Sequence, residues 1–203
     1  MTDPDLNRPK TLLELAGVPG WTTPAAGEAA VILIDAQKEY VSGALPLEGI
    51  DDALGEVSRL RDRADELGLP VIHVRHVGRS GGLFDIEAEG GKFCGAAEPG
   101  DGEIIVGKAL PNAFAGTDLQ DRLTGLGVRK LIVAGFMTHM CVSSMVRAAL
   151  DLGYSSAVVA KACASRALPV PGGGVLSGTD VHRAALTELA DRFALVLEDA
   201  RAV

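Results

Sequence analysis

The chain has 203 residues, a length that suits one α/β domain with a complete core. Its hydrophobic content of 47% is ordinary for a globular protein, whereas its aromatic content of 4% means that aliphatic side chains must form most of the core. The formal net charge of -8 argues against nucleic acid or an anionic membrane as a partner, because both favour clustered Lys and Arg.

The first part of the chain is predicted to be an arm. Residues 1–28 are rich in proline, at positions 4, 9, 19 and 24, and only residues 11–16 could form a short helix. We therefore divide the chain into an N-terminal arm, residues 1–28, and one domain, residues 29–203.

Beyond the arm, buried strands alternate with amphipathic helices. Short apolar runs predict strands at 31–34, 71–74, 104–106, 131–134, 157–160 and 194–197. Apolar residues spaced three or four apart predict helices at 51–67, 142–150 and 181–192. Thr117 and Gln120 fit a capping box that would open one more helix, which Gly127 would end.

This alternation predicts a three-layer α/β/α architecture with a mostly parallel, six-stranded, Rossmann-like sheet, because helices between buried strands act as crossover connections. In open sheets of this kind, ligands bind beyond the carboxyl ends of the strands. The segments that follow the first four strands contain Asp35, His76, Lys108 and residues 135–141. Four loops are therefore expected to converge on one edge of the sheet.

The chain has three cysteines, Cys94, Cys141 and Cys163, and no pair with the spacing of a structural zinc site. The polar N-terminus does not resemble a secretory signal, and no apolar run is long enough to span a bilayer. We therefore expect a cytoplasmic protein with reduced thiols.

Cys141 is the sharpest catalytic candidate. It lies at the start of a predicted helix, where the partial positive charge would lower a thiol pKa and free N–H groups could stabilise an oxyanion. Alternatively, it could be a small inert core residue. Asp35 could be a turn-capping residue and Lys108 a solvated loop lysine. Together the three residues form a constellation that few α/β chains would offer.

Three segments in the same order resemble motifs of the isochorismatase-like hydrolases. The first strand runs into Asp35, Gln37 and Tyr40 in an Asp-x-Gln-x-x-aromatic pattern. Residues 106–119 are similar to the family's lysine segment, and residues 133–154 to its nucleophile segment. The resemblance covers roughly residues 28–198.

The resemblance implies a catalytic trio. Asp35 would take the proton of the Cys141 thiol, Lys108 would keep Asp35 ionised, and Cys141 would attack a carbonyl to give a thioester-like acyl-enzyme. It also implies a cis peptide bond between Phe136 and Met137, which would aim the backbone N–H groups of Met137 and Cys141 at the oxyanion. The residues expected to contact the substrate are Gln37, Tyr40, His76, Phe136, Thr138 and His139.

The sequence departs from the metal-binding members of the family. Between its first two family motifs it lacks the Asp-x-His metal motif of nicotinamidases, so we expect no metal and no cofactor. His73 is predicted to be a core strand residue and His182 a surface residue. Cys94 and Cys163 are assigned to packing or loops.

Three functions remain open from the sequence. The first is hydrolysis of a C–N amide or carbamoyl bond in a small molecule. The second is hydrolysis of the vinyl ether of isochorismate, which needs Asp35 as an acid but not the thiol. The third is a non-catalytic or thiol-redox protein on the same fold. The family resemblance and the uncharged, mostly apolar segment 109–114 further predict a homo-oligomer.

Overall fold

The computed structural model describes residues 8–203, so the first seven residues of the predicted arm lie outside the described part. Within the arm, helix α1 (Leu12–Leu15) lies where a short helix was expected. The side chains of Thr11 and Glu14 form a capping box at its start. The backbone N–H of Leu12 donates to Asp191 Oδ1 at 3.0 Å, which ties the arm to the last helix of the domain.

The described chain contains five α-helices and eight strands. After α1, the helices are α2 (Ile50–Leu67), α3 (Leu119–Leu126), α4 (Ser143–Asp151) and α5 (Gly178–Arg192). The strands are β1 (Ala29–Ile34), β2 (Val71–His76), β3 (Ile104–Lys108), β4 (Lys130–Phe136), β5 (Ser155–Ala164), β6 (Leu168–Pro169), β7 (Val175–Leu176) and β8 (Leu195–Leu197).

Six of the strands form one sheet in the order β3-β2-β1-β4-β5-β8. All five neighbouring pairs in this sheet are parallel, which confirms the predicted architecture. The short antiparallel pair of β6 and β7 was not predicted from the sequence. Strands β1 and β4 lie at the centre, so the residues that follow them meet in the middle of the carboxyl edge.

The two faces of the sheet are covered by different helices. Side chains of α2 pack with Val31 and Leu33 of β1, whereas side chains of α3, α4 and α5 pack with Ile32 and Ile34. All four of these β1 residues are at most 1% exposed. Burying an aliphatic side chain of this size stabilises the fold by about 1.5–3 kcal/mol, so β1 anchors both layers.

Two helix starts differ from the sequence prediction. The predicted capping box at Thr117 and Gln120 is wrong, because α3 begins at Leu119 with Asp118 as its N-cap residue. The Thr117 hydroxyl instead donates to the carbonyl of Ala113. Before α4, residues Thr138–Val142 form a π-helical turn, so Cys141 lies inside that turn rather than in the first turn of a regular α-helix.

Within residues 8–203, no helix is both long enough and apolar enough to cross a membrane.

Candidate active site

Asp35 and Lys108 form a buried ion pair at the centre of the carboxyl edge. Asp35 follows β1 in the left-handed region, with φ 49°, which Asp tolerates better than most residues. Its Oδ2 lies 2.7 Å from Nζ of Lys108, and the two residues are 0% and 2% exposed. Burial raises the pKa of Asp35, and the Lys108 ammonium opposes that shift.

The thiol of Cys141 completes the cluster. Nζ of Lys108 lies 3.3 Å from Sγ of Cys141, which is 5% exposed. Burial and the Asp35 carboxylate raise the pKa of Cys141 to about 12, although Lys108 acts in the opposite direction. The expected lowering of this pKa by the helix terminus is therefore wrong, because desolvation outweighs it. The resting side chain is a thiol that needs a base.

His76 also contacts the cluster, at the end of β2. Its Nδ1 lies 3.3 Å from Nζ of Lys108, within reach of a weak hydrogen bond. Burial and the neighbouring Lys108 lower the pKa of His76, so its ring is neutral near pH 7. The ring also packs against Phe84, with centroids 5.1 Å apart.

Gln37 holds the backbone around this cluster. Its side-chain Nε2 donates to the carbonyls of His76 at 3.0 Å and Gly91 at 2.8 Å, and its Oε1 accepts from the His76 N–H at 2.8 Å. Gln37 is 0% exposed. Both amide groups are occupied by the fold, so Gln37 positions the end of β2, and its contact with substrate stays a prediction.

Tyr40 and Phe136 belong to an aromatic wall behind the site. The Tyr40 ring packs edge-on against Phe84 at 5.1 Å and Phe136 at 5.9 Å. Phe136 is 0% exposed, so its ring is a core group, and its contact with substrate stays a prediction. Tyr40 is 2% exposed, and burial raises its pKa. Phe84, which the sequence analysis missed, joins this wall from the loop after β2.

The turn that bears Cys141 begins with unusual backbone. The peptide bond between Phe136 and Met137 is cis, at the position that the family resemblance implies. The preceding Gly135 has φ 119°, and a Cβ there would lie 2.0 Å from the Ile34 carbonyl oxygen. Only glycine lets β4 approach β1 this closely, and this approach brings the turn beside Asp35.

Thr138 and His139 attach the same turn to the segment that ends β5. The Thr138 hydroxyl donates to the Ala164 carbonyl at 3.0 Å, and His139 Nδ1 lies 3.0 Å from Ser165 Oγ. Thr138 is 0% exposed, so its side chain supports the turn, and its contact with substrate stays a prediction. His139 is partly buried, and burial lowers its pKa.

His182 lies against this turn. The prediction that it is a surface residue is wrong, because it is partly buried and its Nδ1 lies 2.8 Å from Oγ1 of Thr138. The hydrophobic periodicity of its helix carried no signal for this contact, which joins residues 44 positions apart.

Arg166 is a further residue that the sequence analysis missed. It follows β5 by two positions at the carboxyl edge, and its charge acts on the titration of both Tyr40 and His139. Its Nη1 donates to the Ala167 carbonyl at 3.2 Å, whereas its buried Nε has no hydrogen-bond partner among the described residues. The sequence analysis ended the fifth strand at residue 160, whereas β5 continues to Ala164, so the rule that located Asp35 and Lys108 did not reach Arg166.

The remaining cysteines and His73 lie where the sequence placed them. Cys94 and Cys163 are each 5% exposed, and burial raises their pKa values to about 11 and about 12. His73 is 0% exposed on β2, with Nε2 2.9 Å from Glu103. Among residues 8–203, no group of three His, Cys, Asp or Glu side chains is arranged to hold a metal ion.

Comparison with known proteins places this chain in a family. The model of the isochorismatase domain matches residues 29–201. An uncharacterized isochorismatase family protein of Bacillus subtilis, YddQ, is 32% identical over 170 residues, which cover 82% of this chain and 94% of the relative. The crystal structure of an isochorismatase from Pseudomonas putida KT2440 superposes with a TM-score of 0.90 at 41% identity, over 97% of this chain and 100% of that chain.

More distant relatives have amidohydrolase names. Maleamate amidohydrolase of Pseudomonas putida is 27% identical, over 68% of this chain and 72% of that enzyme. N-carbamoylsarcosine amidase of an Arthrobacter species is also 27% identical, over 62% of this chain and 55% of that enzyme. The chain therefore belongs to the isochorismatase family and is a hydrolase of that family.

Proposed function

We propose that the protein is a cysteine-dependent hydrolase that cleaves a C–N amide or carbamoyl bond in a small molecule. The observation that carries this proposal is the position of one ammonium between a carboxylate and a thiol. Nζ of Lys108 lies 2.7 Å from Asp35 and 3.3 Å from Cys141, at the edge where open parallel sheets bind ligands.

In the first half of the reaction, Asp35 acts as the general base. Because the pKa of Cys141 is about 12, its proton must be removed as the sulfur attacks the substrate carbonyl. Asp35 is a suitable acceptor, since burial raises its pKa and makes it a stronger base. The backbone N–H groups of Met137 and Cys141 would stabilise the oxyanion that forms on the carbonyl oxygen.

In the second half, the proton held by Asp35 passes to the leaving nitrogen. The C–N bond breaks, ammonia or an amine departs, and the acyl group remains on the Cys141 sulfur as a thioester. Asp35, ionised again, takes a proton from water as the water oxygen attacks the thioester carbonyl. Collapse of this intermediate returns the proton to Cys141 and releases the acid. Lys108 stays charged throughout and stabilises whichever neighbour is anionic.

The environment of Arg166 supports the proposal that the substrate is an anion. The buried Nε of Arg166 has no partner among the described residues, and an unpaired guanidinium N–H in such a place is costly unless a ligand accepts from it. A carboxylate is the natural acceptor, because its geometry matches the guanidinium. Two relatives are named for maleamate and N-carbamoylsarcosine, compounds that each carry a carboxylate. We therefore propose a small anionic amide or carbamoyl compound as the substrate class.

The test is release of ammonia or amine from a panel of small amides and carbamoyl compounds, with and without a carboxylate. Cys141→Ala and Asp35→Asn should each lower the rate at least about a thousandfold, the scale seen when a member of a coupled catalytic set is lost. Isochorismate is assayed alongside. Cleavage of isochorismate that survives Cys141→Ala but not Asp35→Asn would favour the vinyl-ether reaction and overturn this proposal. A wild-type protein with no hydrolytic activity on the panel or on isochorismate would favour a non-catalytic or thiol-redox role.

We also propose that the protein forms a homo-oligomer, at least a dimer. Leu110, in the loop directly after Lys108, is 56% exposed, and Met140, beside Cys141, is 39% exposed. Large apolar side chains exposed at one edge are typical of an interface. Light scattering at micromolar concentration should give at least twice the chain mass of 21.0 kDa, and a monomeric mass would contradict the proposal.

A further inference from the structure

The hydroxyl of Thr138 lies between two fixed partners inside the protein. It is 3.0 Å from the carbonyl oxygen of Ala164 and 2.8 Å from Nδ1 of His182. A carbonyl can only accept, so the single hydroxyl proton points to Ala164 and the hydroxyl oxygen must accept from His182. This arrangement assigns the proton of the neutral imidazole to Nδ1. His182 is therefore the donor of a chain that runs from α5 through Thr138 to the end of β5.

Two consecutive residues of the Cys141 turn are held by two consecutive residues after β5. Thr138 is bound to Ala164, and His139 lies 3.0 Å from Ser165. His182 adds a third support to the turn. This support comes from α5, whereas the other two come from Ala164 and Ser165 at the end of β5. Because Thr138 is 0% exposed, solvent cannot replace this support without opening the turn.

We infer that His182 is a positioning residue for the hydrolysis proposed above. Through Thr138 it fixes the backbone of residues 137–141, whose N–H groups the proposed mechanism aims at the oxyanion. The inference rests on that proposed function. Among the described residues, no hydrogen bond joins His182 to the thiol or to Asp35, so it acts on the reaction through the position of the turn.

The position of His182 predicts which kinetic constant changes. The oxyanion exists only after attack on the carbonyl, so a displaced turn weakens binding of the transition state and spares the ground state. His182→Ala should lower kcat by about 10- to 100-fold with little change in KM, on the scale by which small misplacements impair catalysis. His182→Asn should restore most of the rate, because an amide N–H can donate from nearly the same place as Nδ1. Asn has no titratable proton, so recovery by Asn excludes an acid–base role.

Two further variants isolate the bond between the two side chains. Thr138→Val removes the acceptor for His182 and also the donor to Ala164, so it should impair the reaction at least as much as His182→Ala, whereas Thr138→Ser keeps both bonds. Because the bond to His182 is already absent in Thr138→Val, adding His182→Ala should make that variant little worse. Thr187→Ala is the matched control, since Thr187 is an exposed residue of the same helix whose hydroxyl donates to the Arg183 carbonyl at 2.8 Å. It should leave kcat unchanged.

The closing experiment needs no identified substrate. Iodoacetamide alkylates Cys141 without forming an oxyanion, whereas the anionic aldehyde succinic semialdehyde adds to the thiol. Sulfur bonds to the aldehyde carbon and the thiol proton passes to the new oxygen, which occupies the proposed oxyanion position. The aldehyde concentration that protects Cys141 from iodoacetamide therefore reports the position of the turn. The rate of alkylation without aldehyde reports the reactivity of the thiol.

We expect His182→Ala to be alkylated at the wild-type rate but to need at least about tenfold more aldehyde for protection. His182→Asn should be protected as the wild type is. Imidazole added to His182→Ala should restore part of the protection, because His182 lines a cavity of about 430 Å³ that could admit it. Equal protection of the wild type and His182→Ala would overturn this inference but not the proposed function. The same holds if His182→Asn is as impaired as His182→Ala. A wild-type Cys141 that the aldehyde does not protect would overturn the proposed function and, with it, this inference.

Discussion

Cys141 and Cys163 are two thiols with the same burial and the same acidity, in different surroundings. Each is 5% exposed, and each has its pKa raised to about 12. For Cys163 the cause is burial, opposed only by a backbone hydrogen bond from Gly135. For Cys141, Asp35 raises the pKa further and Lys108 lowers it. The resting pKa therefore does not distinguish the proposed nucleophile from a packing residue, whereas the charged groups within reach do.

The largest effect that this comparison predicts follows removal of Lys108. In Lys108→Met the charge that opposes the upward shift of the Asp35 pKa is lost, so the carboxyl takes up a proton and can no longer act as a base. Amide hydrolysis should fall at least about a thousandfold. Initial rates with the best substrate of the panel provide the measurement. Lys130→Met, which removes a partly exposed lysine paired with Glu28, is the control and should keep its activity. A Lys108→Met enzyme within tenfold of wild type would contradict the assignment.

An intermediate effect is expected at Arg166. In the proposed function this residue adds a further charge near Cys141, one that binds the substrate carboxylate. Arg166→Gln should raise KM for an anionic amide by about 10- to 100-fold, since a charge-assisted hydrogen bond contributes about 1.5–3 kcal/mol. KM for a neutral amide of the same size should stay unchanged. Arg183→Gln, at an exposed arginine of α5, serves as the control. Equal losses for anionic and neutral amides would show that Arg166 acts on the fold rather than on a substrate carboxylate.

The smallest effect is expected at His73, a buried titratable residue outside the proposed catalytic trio. His73 is 0% exposed and lies 2.9 Å from Glu103, and burial lowers its pKa from 6.5. Between that lowered value and 6.5, the unfolded chain binds more protons than the folded chain, so stability decreases as the pH falls through this window. His73→Gln should make denaturant unfolding less sensitive to pH from about 7 down to 5. Amide hydrolysis should not change at pH 7. An unchanged pH dependence of stability would show that His73 does not titrate in the way its burial indicates.

The sequence identified the residues at the sheet edge better than it identified their environment. Asp35 and Lys108 could be predicted because strand ends in a parallel sheet converge, whatever the details of packing. The pKa of Cys141 could not, because it depends on how far the surrounding loops exclude water. Helix-terminus reasoning gave the wrong direction for that pKa since it considered one local effect and not desolvation.

Residues that support the site were harder to predict than residues that form it. Gln37 lies within a recognisable motif, but only the structure reveals that its amide binds the backbone at His76 and Gly91. His182 is in contact with Thr138 through the packing of α5 against a turn 44 residues earlier, which helical periodicity does not encode. Side-chain hydrogen bonds between distant segments depend on how closely the helices and the sheet pack against each other. The pattern of a single sequence contains little information on that packing.

The most direct test of the central claim is the rate at which iodoacetamide labels Cys141 and Cys163, followed by peptide mass spectrometry in three proteins. Asp35 raises the pKa of Cys141, so Asp35→Asn should speed labelling of Cys141 by about tenfold or more. In Lys108→Met the charge of Lys108 and that of the newly protonated Asp35 are both lost, so labelling of Cys141 should change less. Both variants should nevertheless lose amide hydrolysis, and neither should change labelling of Cys163. Labelling of Cys141 that is unchanged in both variants, or that changes equally at Cys163, would contradict the claim that these two charges govern the nucleophile.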